Sequence, residues 1–255
     1  MNNLLKVEWY KLQRNKSFWV ITLTVSALSV LFHCLIITEW WMMSGTPFDA
    51  AGLGELNGLG VFTVPFIFNL IVASLAGFFI SGEFSNNGII RTQMMSGHNR
   101  SKIYLAKYLI FSFGSLMITI LIPLITALII VSAFGYAEIW SVENLQFLSR
   151  AYSLFTIQFL GYTAIIMLLS IITEESGKTI LFSILLNIVM IGMQQFPSGS
   201  IVGVIYNYSI FQQFSDVFTS MMPGREQIKA IVIGLWTIFV ITVCGMFLFN
   251  RKEIK

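Results

Sequence analysis

Charged side chains are scarce in this sequence, which excludes an ordinary soluble domain. Only 11% of its 255 residues are charged and 56% are hydrophobic, with a mean hydropathy of +0.80. In a soluble domain about a quarter of the residues carry charge. The net charge of +3 is small, and lipid headgroups account for the basic residues, so no nucleic-acid partner is expected. The sequence therefore predicts an integral membrane protein.

Clusters of chemically reactive side chains are also missing from the sequence. A membrane hydrolase or transferase would gather His, Asp, Glu or Cys at one membrane face, and the sequence contains no such cluster. None of the 12 acidic residues lies in the middle of an apolar run, where a carrier driven by protons or sodium needs one. We therefore expect no catalytic residue, no metal site and no cofactor on this chain. Any uphill transport would draw its energy from another chain.

Six apolar runs are long enough to cross a bilayer, whose core of about 30 Å takes about 20 residues of helix. We expect an all-α polytopic protein with a single transmembrane domain over residues 1–255. The predicted spans, numbered one to six, are Ser17–Thr38, Val61–Ile80, Ile103–Phe134, Ala151–Thr173, Thr179–Phe196 and Lys229–Asn250. Span three is longer than a bilayer requires and contains Pro123, which predicts a kink or a tilt.

Lysine and arginine residues are divided unequally between the two sides of these spans. Twelve of the 15 fall on the side that holds both termini and the second and fourth loops. Cytoplasmic loops retain such residues, so we expect a multi-pass protein of the cell membrane with cytoplasmic N- and C-termini. Arg100, Lys102 and Lys107, around the start of span three, are expected at the headgroup level.

The N-terminal stretch "NNLLKVEWYKLQRNKSFW" has the periodicity of an amphipathic helix. Leu5, Trp9 and Leu12 recur at i, i+4 and i+7, while basic residues, among them Arg14, occupy the other faces. We predict a helix that lies in the inner membrane interface and contacts lipid. The alternative is that the stretch is only the positively charged flank that orients span one.

Three neutral polar residues lie deep in the predicted spans: Asn69, Gln158 and Asn187. They are candidates for the translocation path. The alternative is that they form hydrogen bonds between helices, which is the more frequent role of such residues in membranes.

The stretch "SGEFSNNGIIRTQMMSGHNRSKIYLAKY" between spans two and three is polar and rich in turn residues, yet it has apolar side chains in its middle. The part "IIRTQMMS" can form about two turns of helix, with Ile90 and Met94 on one face. These residues either dock against another subunit or dip into the inner leaflet. Glu83 and Arg91 are expected at the exposed rim of this surface.

Two segments carry a resemblance to a known family: "VEWYKLQRNKSFW" before span one and "GEFSNNGIIRTQMMSGHNRSKIYLAKYL" after span two. They resemble the permease subunit of type-2 ATP-binding-cassette (ABC) transporters. The resemblance implies that the second segment is a cytoplasmic coupling helix that docks into an ATPase cleft. It carries six residues over as interface candidates: Glu83, Ile89, Ile90, Arg91, Met94 and Met95. It also implies short extracellular helices within residues 197–227, and ATP and Mg²⁺ on the partner ATPase.

The chain is also similar to permeases for lantibiotic or bacteriocin immunity and to the staphylococcal exporter of phenol-soluble modulins. This similarity implies a permease that pairs with a second permease protomer, like or unlike itself, and moves an amphipathic peptide outward when two ATPase subunits close. Two alternatives stay open. One is a membrane receptor or sensor subunit for peptides without transport activity, and the other is an ABC permease for drugs or other lipophilic substrates.

Overall fold

Six helices of the protein are long and apolar enough to cross a membrane. The computed structural model describes residues 1–85, 92–93, 97 and 99–252. Its six spans are Lys16–Ile37, Pro65–Phe84, Arg100–Ala133, Val142–Thr173, Ser176–Gln194 and Gly224–Arg251. Helices make up 83% of the structure, and no strand occurs within the described ranges. The predicted all-α fold with six spans is confirmed.

All six spans begin at residues other than those predicted, and two of these differences have a clear local cause. Span two starts at Pro65, because Val64 has an extended backbone (ψ 126°) and separates the span from a short helix, Gly58–Thr63. A residue that precedes proline disfavours the helical region, which explains this break. Span four starts nine residues earlier than predicted, at Val142, because the Ser141 side chain caps it.

The N-terminal helix, Asn2–Arg14, is separated from span one by a single residue, Asn15. The backbone of Asn15 is extended, which ends the first helix. Its side-chain oxygen accepts hydrogen bonds from the backbone N–H groups of Ser17, at 2.9 Å, and Phe18, at 3.3 Å, which caps the second. One residue therefore turns the chain from the N-terminal helix into the membrane span.

Spans two and three each contain one turn of π-helix. In span two the turn covers Gly77–Ser81, next to the loop that joins the two spans. In span three it covers Met117–Leu121, immediately before the helical segment whose second residue is Pro123. A π-turn is a common site of local irregularity in a helix. Span three therefore changes its helical winding beside Pro123, while the predicted kink or tilt stays a prediction.

Span four is the central helix of the bundle. In an apolar stretch of 18 residues of span four, 61% of the residues are buried, whereas the corresponding share is 17% in spans one and five and 22% in span six. Aromatic rings surround it: the Phe68 ring of span two lies with its centroid 5.1 Å from that of Tyr162 and 6.0 Å from that of Phe155. Spans one, five and six therefore keep broad apolar faces for lipid or for another chain.

Short helices close the end of the bundle opposite the N-terminal helix. Two of them, Ile201–Asn207 and Ile210–Asp216, lie between spans five and six, in the segment where the resemblance implies such helices. The Phe214 ring inserts into the bundle, with its centroid 4.8 Å from that of Phe68. This contact connects the second short helix to the aromatic core around span four.

Candidate functional site

Four charged side chains form a closed ring where the N-terminal helix meets the loop end of span two. Lys107 of span three contacts both carboxylate oxygens of Glu8 at 3.1 Å and also pairs with Glu83. Lys11 lies 3.0 Å from Glu8 and 2.9 Å from Glu83. Each carboxylate therefore contacts both lysines, and the formal charges of the ring sum to zero.

The ring joins three parts of the chain that are far apart in sequence. The N-terminal helix buries the face formed by Leu4, Glu8 and Leu12, which recur every four residues and so point the same way. Glu83 follows the π-turn at the end of span two, and Lys107 lies two turns into span three. A fourth part, the loop after span two, is attached by Gln93, whose Nε2 donates to Glu8 at 2.6 Å.

Burial makes this ring sensitive to the loss of any one charge. The side chains of Glu8 and Lys107 are 1% and 2% exposed, while those of Glu83 and Lys11 are 10% and 23% exposed. Burial alone would raise the pKa of Glu8, but the nearby ammonium groups of Lys107 and Lys11 and the Gln93 hydrogen bond lower it below its usual value. Glu8 is therefore ionised at neutral pH.

The same end of span two is held to spans four and five by hydroxyl groups. The Ser176 hydroxyl donates to the Gly77 carbonyl at 2.6 Å, and Ser81 and Thr179 share a hydrogen bond of 2.7 Å. The Ser81 hydroxyl also lies 3.2 Å from the Ser170 carbonyl. The π-turn that precedes Glu83 is therefore anchored to the bundle on the side away from the N-terminal helix.

The three predicted translocation-path residues do not form one group. Asn69 and Asn187 meet at the Tyr162 hydroxyl, which donates to the Asn69 oxygen and accepts from Asn187 Nδ2 at 3.0 Å. Gln158 lies elsewhere and donates to the Ala230 carbonyl of span six at 2.7 Å. All three residues are buried and join pairs of helices in this structure. Their role in translocation stays a prediction.

A cavity of about 550 Å³ lies at the end of the bundle opposite the ion-pair ring. Its walls come from the segment before span two, the end of span five and the short helices that follow. Aromatic side chains of Trp41, Tyr206, Phe211 and Phe218 line it, with Thr46 among the polar residues. The described residues that line it include no charged side chain. The cavity therefore suits an apolar or amphipathic ligand.

The predicted coupling residues fall into two groups. Five of them lie outside the described residues: Ile89, Ile90, Arg91, Met94 and Met95. Glu83 is described, and the expectation that it lies at an exposed rim is wrong, because both lysines of the ring draw its carboxylate inward. Lys107, which was expected at the headgroup level, is buried by the same ion pairs, and its depth in the membrane stays a prediction.

The N-terminal helix places its predicted residues on two different faces. Leu12 is buried and Leu5 is half-buried against the core. Trp9 is 38% exposed, although its ring packs edge-on to Phe113 with the centroids 5.6 Å apart. Arg14 is exposed and lies over the Tyr10 ring.

Sequence reasoning missed Glu8, and one signal could have found it. An acidic residue placed between Leu4 and Leu12 on the same helical face needs a buried cationic partner.

These features define a class, a polytopic helical membrane protein whose N-terminal helix is joined to the bundle by buried ion pairs and to the loop after span two by a hydrogen bond. The family model for "ABC-2 family transporter protein" matches residues 4–195, about three quarters of the chain, and the chain belongs to this family. No curated protein matches the sequence. The match extends from the N-terminal helix to the end of span five and so includes every residue of the ring.

Family membership determines the general role of the chain. It is a membrane-embedded permease subunit of a transporter, in a family whose membrane subunits are typically non-catalytic. Membership also implies a partner of the ATP-binding cassette type. The described structure and the family agree that the protein crosses the membrane several times.

Proposed function

We propose that this permease exports amphipathic peptides, such as antimicrobial or toxin peptides, from the cell or its membrane. A separate ATP-binding cassette subunit would bind ATP and Mg²⁺ and hydrolyse the ATP. Residues 1–255 would act as one transmembrane domain, with both termini in the cytoplasm. In this arrangement the ion-pair ring lies at the cytoplasmic end and the uncharged cavity at the outer end.

The observation that carries the proposed coupling to an ATPase is the contact between Gln93 and Glu8. It attaches the loop after span two to the N-terminal helix, and the ring extends the attachment to span three. A force applied to the loop would therefore reach two helices through charge-assisted hydrogen bonds, which are stronger than neutral ones. The loop segment proposed to contact the ATPase consists of Ile89, Ile90, Arg91, Met94 and Met95.

The cavity at the opposite end supports the choice of substrate. Its aromatic lining offers apolar contact area, and hydroxyl and amide groups such as those of Thr46 and Gln194 offer hydrogen bonds. An amphipathic peptide has one apolar face and one polar backbone edge, and it matches such a lining better than an ion or a sugar.

A second permease protomer completes the proposed assembly. Spans one, five and six leave most of their apolar surface uncovered within one chain. A peptide path needs more wall than the six spans of one chain provide, so the path would lie between two protomers. Asn69, Asn187 and Gln158 lie on spans two, five and four, and a change in helix packing would bring some of them to that path.

Transport is tested in inverted membrane vesicles that contain the permease and its ATPase. A fluorescent amphipathic peptide should accumulate inside the vesicles only when ATP and Mg²⁺ are present. ATP-independent peptide binding without accumulation would favour the receptor alternative. Accumulation of a lipophilic dye but not of the peptide would favour the drug-permease alternative.

Docking is tested with Ile90→Asp combined with Met94→Asp. Burying an apolar side chain contributes about 1.5–3 kcal/mol, so the double change should weaken ATPase association by well over tenfold. Co-purification of the ATPase is the measurement. Lys6→Asp, which alters an exposed charge on the N-terminal helix, serves as a control. Unchanged co-purification of the double variant would contradict docking through this loop.

Coupling is tested separately with Gln93→Leu, which removes the contact with Glu8 but leaves the proposed docking residues intact. The ATPase should still co-purify, while peptide accumulation per ATP hydrolysed should fall. Glu175→Gln is the matched control, because it breaks an exposed ion pair with Lys178 in another loop at the same end of the bundle. Equal coupling in the two variants would show that the Gln93 contact does not transmit movement.

A further inference from the structure

A second cavity, of about 350 Å³, lies between the N-terminal helix and the loop end of span two. Tyr10, Lys11 and Arg14 form its wall on the N-terminal helix, and Phe78 and Gly82 form its wall on span two. One wall is therefore cationic and the other is apolar.

On the cationic wall, the charge of Arg14 is not neutralised by any described carboxylate. Lys11 is held by both carboxylates of the ring, whereas Arg14 has no carboxylate partner among the described residues and lies over the Tyr10 ring, 5.2 Å from its centroid. Glu83 also lines the cavity, but its carboxylate is occupied by Lys11 and Lys107. The ring itself is neutral, so the arginine leaves the cavity with a net positive charge.

The depth of the cavity matches the boundary between headgroups and acyl chains. It lies where the N-terminal helix passes into span one and where span two ends, so it is at a membrane surface and not in the bilayer core. Exposed aromatic rings of Trp9, Tyr10 and Trp19 surround this level, as is usual at a membrane interface. The Phe78 side chain is 51% exposed and extends the apolar wall toward the bilayer.

We infer that this cavity binds one anionic glycerophospholipid. The Arg14 guanidinium would hold the phosphate in a bidentate contact, with the Lys11 ammonium as a second positive group. An acyl chain would lie along Phe78. A soluble phosphate would leave the apolar wall unused, and a zwitterionic lipid would bring a second cation to a wall that is already positive.

Lipid at this position would also affect the ion-pair ring. Lys11 belongs to both structures, so a phosphate near its ammonium group would compete with Glu8 and Glu83 for it. The lipid composition of the membrane would thereby alter how tightly the N-terminal helix is held to span two.

The experiment is native mass spectrometry of the detergent-purified full chain, incubated with equal amounts of dioleoylphosphatidylglycerol and dioleoylphosphatidylcholine. The wild-type chain should retain one phosphatidylglycerol in preference to phosphatidylcholine. Arg14→Ala should reduce that retention about fivefold, as expected for one basic group at an anionic membrane surface. Lys6→Ala removes the same charge from an exposed position of the same helix outside the cavity and should leave retention unchanged.

A second variant tests the cavity without altering any charge. Gly82 lines the cavity, and among the described residues a Cβ there would have the Gly77 carbonyl, at 3.7 Å, as its nearest neighbour, so Gly82→Leu should fill part of the space. It should reduce the retention of both lipids. Size-exclusion chromatography of each variant checks that the fold is intact.

Three results would overturn the inference. Equal losses in Arg14→Ala and Lys6→Ala would show a diffuse surface effect and no defined site. Unchanged retention in Gly82→Leu would place the lipid elsewhere. Displacement of phosphatidylglycerol by millimolar inorganic phosphate alone would identify the cavity as a site for soluble anions.

Discussion

Replacing Lys107 with methionine removes one of the two positive charges of the ion-pair ring and keeps the length of the side chain. Two buried carboxylates, Glu8 and Glu83, would then share the single ammonium group of Lys11, which is 23% exposed. Removing one partner from a buried ion pair costs about 3–5 kcal/mol, because it leaves a buried charge uncompensated. The Lys107→Met variant should be destabilised by an amount in this range.

The assay is the temperature at which half of the detergent-solubilised protein is lost from the monodisperse size-exclusion peak. For a chain of this size about 1 kcal/mol corresponds to about 2–4 °C, so Lys107→Met should lower the midpoint by about 6–20 °C. Lys178→Met is the matched control. Its pair with Glu175 is 59% and 58% exposed, so the change should cost less than about 1 kcal/mol.

A double variant separates charge balance from the loss of packing. Combining Lys107→Met with Glu8→Gln leaves Glu83 and Lys11 as one neutral pair, and a neutral replacement of a buried pair is often tolerated. The double variant should recover most of the midpoint that the single variant loses. The reasoning would be refuted if Lys107→Met behaved like Lys178→Met, or if the double variant were less stable than Lys107→Met alone.

Three further predictions concern other parts of the protein. The pKa of Glu8 in the folded protein is lowered from 4.5, so the stability that its carboxylate contributes should be complete above about pH 4.5. This stability should be lost as the pH falls through the lowered pKa of the folded protein, which the thermal midpoint measured against pH would show. After replacement of the native cysteines, a cysteine at Lys178 should react with a membrane-impermeant maleimide only from the cytoplasm, and a cysteine at Met221 should react only from outside. The reverse labelling would invert the proposed orientation. Gly245→Ala should lower the thermal midpoint, because its Cβ would overlap the Tyr104 hydroxyl of span three. Gly192→Ala meets no described atom within 4 Å and should not lower it; equal midpoints would argue against this helix contact.

Hydropathy and length were sufficient to predict the spans, because a helix in a bilayer has to be apolar over about 20 residues whatever its neighbours are. The kink or tilt expected at Pro123 rests on a similarly local argument, since a proline in a helix leaves a backbone carbonyl without its usual donor, and it stays a prediction. The start of span four could not be placed, because it depends on the Ser141 cap and not on hydropathy.

In the N-terminal helix, hydrophobic periodicity predicts a helix but does not predict which of its faces is buried. Leu5, Trp9 and Leu12 have the spacing of one helical face, but the structure buries the neighbouring face, which contains Leu4 and Glu8 with Leu12. Two faces one residue apart differ little in apolar content. The ionic partners on spans two and three decide between them, and no local pattern contains that information.

Tertiary structure alone decided which polar residues meet. Asn69 and Asn187 are separated by 118 residues and converge on Tyr162, while Gln158, one turn of helix before that tyrosine, joins a different span. Lys107 has the sequence context of a headgroup anchor, yet Glu8 and Glu83 make it a buried partner. The sequence determined the membrane fold, because burial in lipid acts on each helix separately. The ring depends on helices packing together, because a charge can stay buried only where the opposite charge is brought within reach.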